Sequence, residues 1–113
     1  MPTFEARTSA QPGRCVVALA GECDLAVRDE LTSALLRAVE TAPVVEVDLD
    51  ELRFIDSTGV HALVTAYHAA QRGGTSVYVA NARGVVAQVL EVTGVGALLQ
   101  APVTGGSDGA ARS

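Results

Sequence analysis

The chain predicts a small single-domain α/β fold, a mixed sheet of four to five strands with helices packed mainly on one face. Three observations carry this. Short apolar or alternating runs at 4–9, 15–20, 44–49 and 75–80 are followed, after the first pair, by longer stretches whose apolar residues recur at helical spacing. Hydrophobic residues make up 49% of the chain and charged ones 19%, which suits a well-covered sheet better than a coiled or unstructured chain. At 113 residues it has the length of one domain, enough to bury roughly two-thirds of its unfolded surface around a single core.

Phe4, Ala6 and Thr8 alternate with Glu5, Arg7 and Ser9, the pattern of a half-wet strand, and residues 11–14 (Gln-Pro-Gly-Arg) turn the chain back. Residues 15–20 are apolar on both faces, so this second strand belongs inside the sheet. Asp24 follows it as a candidate cap for a first helix, in which Val27, Leu31, Leu35 and Ala38, with Ala34 and Val39, form the inner stripe. Pro43 opens a third strand, where Val45, Val47 and Leu49 alternate with Glu46 and Asp48, leaving at least one face of the sheet partly wet. A second helix runs from Ser57 to about Arg72 and stops at Gly73 and Gly74. Val60, Leu63, Val64, Tyr67 and Ala70 face its core side, while Ser57, His61, Thr65, His68 and Arg72 form a polar stripe that begins at the serine. After a fourth strand at 75–80, Asn81 is the expected cap of a third helix carrying Val85, Val86, Val89 and Leu90, which Thr93 and Gly94 end. Residues 95–99 return as a last short strand or a docking segment. The domain thus spans 1–101, and 102–113, polar and glycine-rich with nothing to bury, reads as a disordered tail.

Composition excludes several functions. Thirteen acids against eight bases give a net charge of −5, and every base is arginine. No basic patch is available to release counterions from nucleic acid, so none is expected as a partner. Without lysine there is no phosphate-cradling P-loop and no Schiff-base chemistry. The N-terminus has no basic region followed by an apolar stretch, and no run approaches eighteen apolar residues, so a cytoplasmic protein without direct membrane insertion is expected. Cys15 and Cys23 lie in or just after one strand, too far apart along near-extended chain for a disulfide, and with no neighbouring histidine they make a poor metal site. They read as core residues; no metal and no cofactor is expected.

The strongest functional signal is the strand that runs into Asp56-Ser57-Thr58-Gly59. A hydroxyl at the mouth of a helix is exposed beside free backbone N–H groups and the positive end of the helix dipole, so the fold would tolerate a phosphate on Ser57. The same four residues also read as a plain capped helix start, but Gly59 costs up to about 1 kcal/mol relative to alanine there, which suggests the close approach of another backbone or a ligand. The match to a nucleophile elbow fails, because Ile55 stands where that turn needs glycine and both histidines share the helix with the serine. Asp48 and Asp50 form a D-x-D at a strand end, a spacing able to hold Mg²⁺, which keeps a small Mg²⁺-dependent enzyme as an alternative.

Five segments in order, 21–25 (GECDL), 47–49 (VDL), 54–60 (FIDSTGV), Gly73-Gly74 ahead of a strand, and 89–94 (VLEVTG), resemble the signature of STAS-domain anti-sigma-factor antagonists over roughly residues 3–101. The resemblance implies a mixed-sheet α/β fold and a non-enzymatic binding module. It implies an anti-sigma factor that is also a serine kinase, which binds the unmodified protein, phosphorylates it and releases it, and a metal-dependent serine phosphatase that reverses the mark. By that motif the phosphoacceptor is Ser57, its acidic neighbour Asp56 and the acid after the second strand Asp24. With Thr58, Gly59 and His61 these make the expected partner-binding set. Cys23 stands where the family commonly has an aliphatic residue and His61 where it commonly has glycine, which adds bulk beside the acceptor. STAS domains also serve as subunits of membrane transport complexes without phosphorylation, and that reading stands as the alternative within the fold.

Overall fold

The computed structural model describes residues 4–101, so the expected tail at 102–113 lies outside the described residues. Strands β1 (Phe4–Gln11) and β2 (Arg14–Cys23) form a hairpin, and a 3₁₀ turn (Leu25–Val27) leads into α1 (Arg28–Thr41). Then come β3 (Val44–Ile55), α2 (Ser57–Gly73), β4 (Ser76–Ala80), α3 (Gly84–Thr93) and the short α4 (Val95–Leu98). The sheet has four strands in the order β1-β2-β3-β4, with β1 antiparallel to β2 and the other neighbours parallel. This is the mixed sheet that the sequence predicts, at the lower of the two strand numbers.

One face of the sheet holds the core. Cys15, Val17 and Leu19 of β2, Val45, Val47 and Leu49 of β3 and Val77 of β4 are buried against Leu31 and Leu35 of α1, Val60 and Leu63 of α2, and Val86 and Leu90 of α3. The opposite face carries alternate residues that are only half-buried, and there Arg14, Glu46 and Tyr78 tie three strands together. Arg14 Nη1 donates to Glu46 Oε1 at 2.9 Å and to Tyr78 Oη at 3.2 Å, and Tyr78 Oη donates to the same carboxylate at 2.8 Å. A polar triangle of this kind suits a sheet face without helices.

Three expectations need correction. Asn81 does not cap α3: the helix begins after Arg83, and Asn81 sits in the left-handed region (φ 64°), its side-chain amide donating to Asp48 Oδ1 at 2.9 Å. Residues 95–99 do not form a strand. Gly94 turns the chain with φ 80°, and one helical turn then places Val95 and Leu99 four residues apart on the same side, both buried. The docking half of that expectation holds, because Leu99 carbonyl accepts the Val79 amide at 2.9 Å on the outer edge of β4. Third, β3 does not end near Asp50. Two register shifts against β2, after Ala18 and after Gly21, let it continue to Ile55.

Candidate functional site

The parallel pairing of β2 with β3 brings Cys23 beside Ile55, so the residues that follow, Asp24 and Asp56, leave adjacent strand ends together. The Asp56 amide donates to the Cys23 carbonyl at 3.1 Å and closes that end of the ladder. Asp56 is then the cap of α2: its backbone is extended, and its Oδ1 accepts from the amides of Thr58 at 2.9 Å and Gly59 at 3.1 Å. Ser57 is therefore the first residue inside the helix, exposed, with Thr58 half-buried behind it and His61 exposed one turn on. The polar stripe continues along α2 through half-buried Thr65 to exposed His68 and Arg72.

Two parts of the sequence reading change here. The amides expected to be free beside Ser57 are largely taken, since Asp56 accepts two of them, those of Thr58 and Gly59. Asp24 caps the 3₁₀ turn ahead of α1, accepting from the Ala26 amide at 3.0 Å, while α1 itself starts without a side-chain cap.

Gly59 does mark a close approach, but the neighbours are side chains of the core. A Cβ on Gly59 would lie 2.6 Å from Cys23 Sγ and 2.7 Å from Ile55 Cγ1. The glycine lets the first turn of α2 settle onto Cys23 and Ile55 at the paired ends of β2 and β3, the strand ends that Asp24 and Asp56 follow. Cys23 is fully buried beneath them, and burial, with the charges of Asp56 and Asp24 adding to it, pushes its thiol up to about 12. Both thiols are free and buried, as the sequence indicates.

The site is thus an exposed serine at a helix mouth, with Asp56 as the cap before it and Asp24 just after the end of the neighbouring strand. Among the described residues the ion pairs join Arg7 to Glu5, Arg14 to Glu46, Arg28 to Asp29 and Arg83 to Asp50, and none engages Asp24 or Asp56. Leu25, 63% exposed and next to Asp24 in the chain, and Phe54, 42% exposed and two residues before Asp56, are absent from the residue set that the sequence singles out. Alternation gives no clean signal for Phe54, because beyond Leu49 the buried residues of β3 recur at Leu52 and Ile55, with two exposed residues between each. Leu25 gives none either.

Asp48 and Asp50 do not stand open at a strand end. Asp48 Oδ1 accepts from the Asp50 amide at 3.1 Å as well as from Asn81, and Arg83 Nη2 binds both the Asp50 carboxylate, at 3.3 Å, and its carbonyl, at 2.9 Å. These contacts read as a clamp that fixes the loop after β4. Among the described residues no group of three metal-ligating side chains converges, and no helix is long and apolar enough to cross a membrane.

The model of the STAS domain matches residues 5–104, nearly the whole chain. The chain belongs to the STAS-domain family. Its fold is similar to an anti-sigma factor antagonist from Mycobacterium paratuberculosis, with a TM-score of 0.73 at 23% identity over 85% of this chain and 82% of that one. It is similar to the Bacillus cell fate determinant SpoIIAA in its phosphorylated form, with a TM-score of 0.66 at 16% identity over 91% and 93% of the two chains. A sulfate transporter family protein from Wolinella succinogenes also shares the fold, with a TM-score of 0.67 at 22% identity over 80% and 75%. No curated protein matches the chain in sequence. At these identities the likeness to solved structures is one of fold, so what this STAS domain does rests on its own site.

Proposed function

We propose that this STAS domain is a cytoplasmic anti-sigma-factor antagonist, a non-enzymatic binding module that regulates transcription by partner switching. It binds an anti-sigma factor with serine kinase activity, is switched off by phosphorylation at Ser57, and is restored by a metal-dependent serine phosphatase. The observation that carries the reading is the exposed Ser57 at the start of α2, next to its cap Asp56 and at the strand end that pairs with the one Asp24 follows, two carboxylates with no ion-pair partner among the described residues. In the transfer, Ser57 Oγ bonds to the γ-phosphorus of ATP, the bond to the β,γ-bridging oxygen breaks, ADP leaves, and the hydroxyl proton passes to a base on the kinase.

The chemistry of release follows from charge. A phosphate adds about −1.5 to −2 charges at pH 7. On the free protein an exposed phosphoserine is solvated, and the helix dipole favours it by roughly 0.3 to 1 kcal/mol, against repulsion from Asp56. In an interface the water leaves, and three acidic groups side by side without a facing cation cost several kcal/mol. Leu25 and Phe54, exposed beside the acids, supply the apolar contact that makes the unmodified surface bind. Asp24, Asp56, Thr58 and His61 complete the contact surface, with Gly59 packed beneath it.

The test is incubation with the co-purifying anti-sigma factor and ATP, read by intact mass. The parent and Thr58→Ala gain one phosphate and Ser57→Ala gains none. Phosphate on Ser57→Ala would overturn the assignment. The similarity to a sulfate transporter family protein supports a second reading, a STAS subunit of a membrane transport complex, and capture of a transporter in place of a kinase would favour it.

A further inference from the structure

The two edges of the sheet are treated differently. On β4, α4 and its extension cover the edge, and the Leu99 carbonyl accepts an edge amide. Nothing described covers β1. It runs straight for eight residues, Phe4–Gln11, with no register irregularity against β2 and no proline. Such an edge is a template for another strand unless charge or shape forbids it.

The hairpin register shows which groups it offers. Pro12 and Gly13 form a two-residue loop between Gln11 and Arg14, and the pair flanking such a loop exchanges both of its hydrogen bonds. By alternation the odd residues of β1 bond to β2, and the N–H and C=O groups of Phe4, Ala6, Thr8 and Ala10 point outward.

The side chains select one partner and one register. Glu5 and Arg7 are both exposed and lie two residues apart on the open face of the sheet, already paired with each other at 3.5 Å. When a second copy of β1 is laid antiparallel with Ala6 opposite Ala6, Glu5 of each copy faces Arg7 of the other at the non-hydrogen-bonded positions, where side chains approach most closely. Four charges then alternate in sign around the axis. Phe4 meets Thr8 of the second copy on the opposite face. Moving the centre to Thr8 sets Arg7 against Ser9 and Glu5 against Gln11, and brings Phe4 to Pro12, which has no amide to donate. Hydrogen-bond phase and charge therefore agree on the same register, and a closed twofold dimer is its natural product.

We infer that this chain forms a symmetric homodimer through antiparallel pairing of its β1 strands centred on Ala6, making one continuous eight-stranded sheet. The contact does not involve Ser57 and stands apart from the proposed switch.

Sedimentation equilibrium on the full chain tests it. The parent associates to twice its monomer mass as concentration rises; a monomer at every concentration overturns the proposal. Ala6→Pro removes an outward amide and leaves the β1–β2 ladder intact, so it keeps its circular dichroism and weakens dimerisation by about tenfold or more. Unchanged dimerisation of a folded Ala6→Pro overturns the proposal. Arg7→Glu sets acid against acid and weakens association by about tenfold, and adding Glu5→Arg restores it. Failure of that rescue overturns the charge register, whatever becomes of the proline variant. Under mild oxidation Ala6→Cys crosslinks, since facing residues at that position lie about 5.5 Å apart between Cα atoms. Thr8→Cys does not, because its two copies are offset by about 14 Å along the strands. The reverse pattern overturns the register.

Discussion

Gly59 has no side chain because Cys23 and Ile55 leave no room for one. Gly59→Ala gains helix propensity but forces its methyl into Cys23 Sγ, at 2.6 Å from an ideal Cβ, and Ile55 Cγ1, at 2.7 Å. Overpacking of that kind costs about 1 to 3 kcal/mol. Chemical denaturation should show the loss for Gly59→Ala alone, and a smaller loss when Cys23→Ala is added to make space. An equal loss in both backgrounds would place the strain elsewhere. Cys23 makes a second prediction. Its thiol is held neutral in the fold, pushed from an ordinary 9.0 up to about 12, whereas the unfolded chain ionises near 9.0. Stability from this group is complete below pH 9.0 and is lost as the pH rises from there towards about 12. Cys23→Ala should therefore lose less stability than the parent between pH 9 and 11, measured by thermal melts against pH, and parallel profiles would contradict it. Asp56 receives two helix amides, so Asp56→Ala should cost about 1 to 2 kcal/mol.

At the scale of elements, α4 is the piece whose removal is most informative. Leu99 is fully buried and its carbonyl holds the β4 edge, so Leu99→Ala should lower stability by about 2 to 5 kcal/mol. Truncation after Ala101 should leave the melting temperature nearly unchanged, since the residues beyond carry no apolar periodicity. A large drop would mean that the tail docks. Most elements were legible because their signals are local: Pro12 and Gly13 between two strand patterns, a polar stripe at helical spacing on α2, and Gly74 and Gly94 in the left-handed conformation at two helix ends. The errors arose where tertiary contacts decide. Asn81 carries cap chemistry, but Asp48, 33 residues earlier, takes its amide. A short run such as 95–99 fits strand and helix alike, and only the position of the β4 edge chooses between them. The buried alanines at 62 and 66, which bring α2 close to its neighbours, carry too little hydrophobic contrast to be noticed.

For the whole molecule, the sheet supplies the site by setting two strand ends side by side. That α2 begins at Ser57 was legible from sequence, because a strand pattern ends there and an apolar helical run begins, though the same residues read as a plain capped helix start as well. The capture of its neighbouring amides by Asp56 was not, since it depends on the rotamer and on the path from Cys23 to Asp56. The carboxylates of Asp24 and Asp56, without an ion-pair partner among the described residues, are the basis of the proposed switch, and partner affinity reads it. The most direct measurement is the affinity of the anti-sigma factor, by titration calorimetry, for the unmodified protein, for the Ser57-phosphorylated protein and for Ser57→Ala. At about 1.4 kcal/mol for each tenfold, burying the added charge against Asp56 and Asp24 predicts binding weaker by about a hundredfold or more for the phosphorylated protein, with Ser57→Ala close to the unmodified one. Equal affinity for the unmodified and phosphorylated proteins would contradict the account.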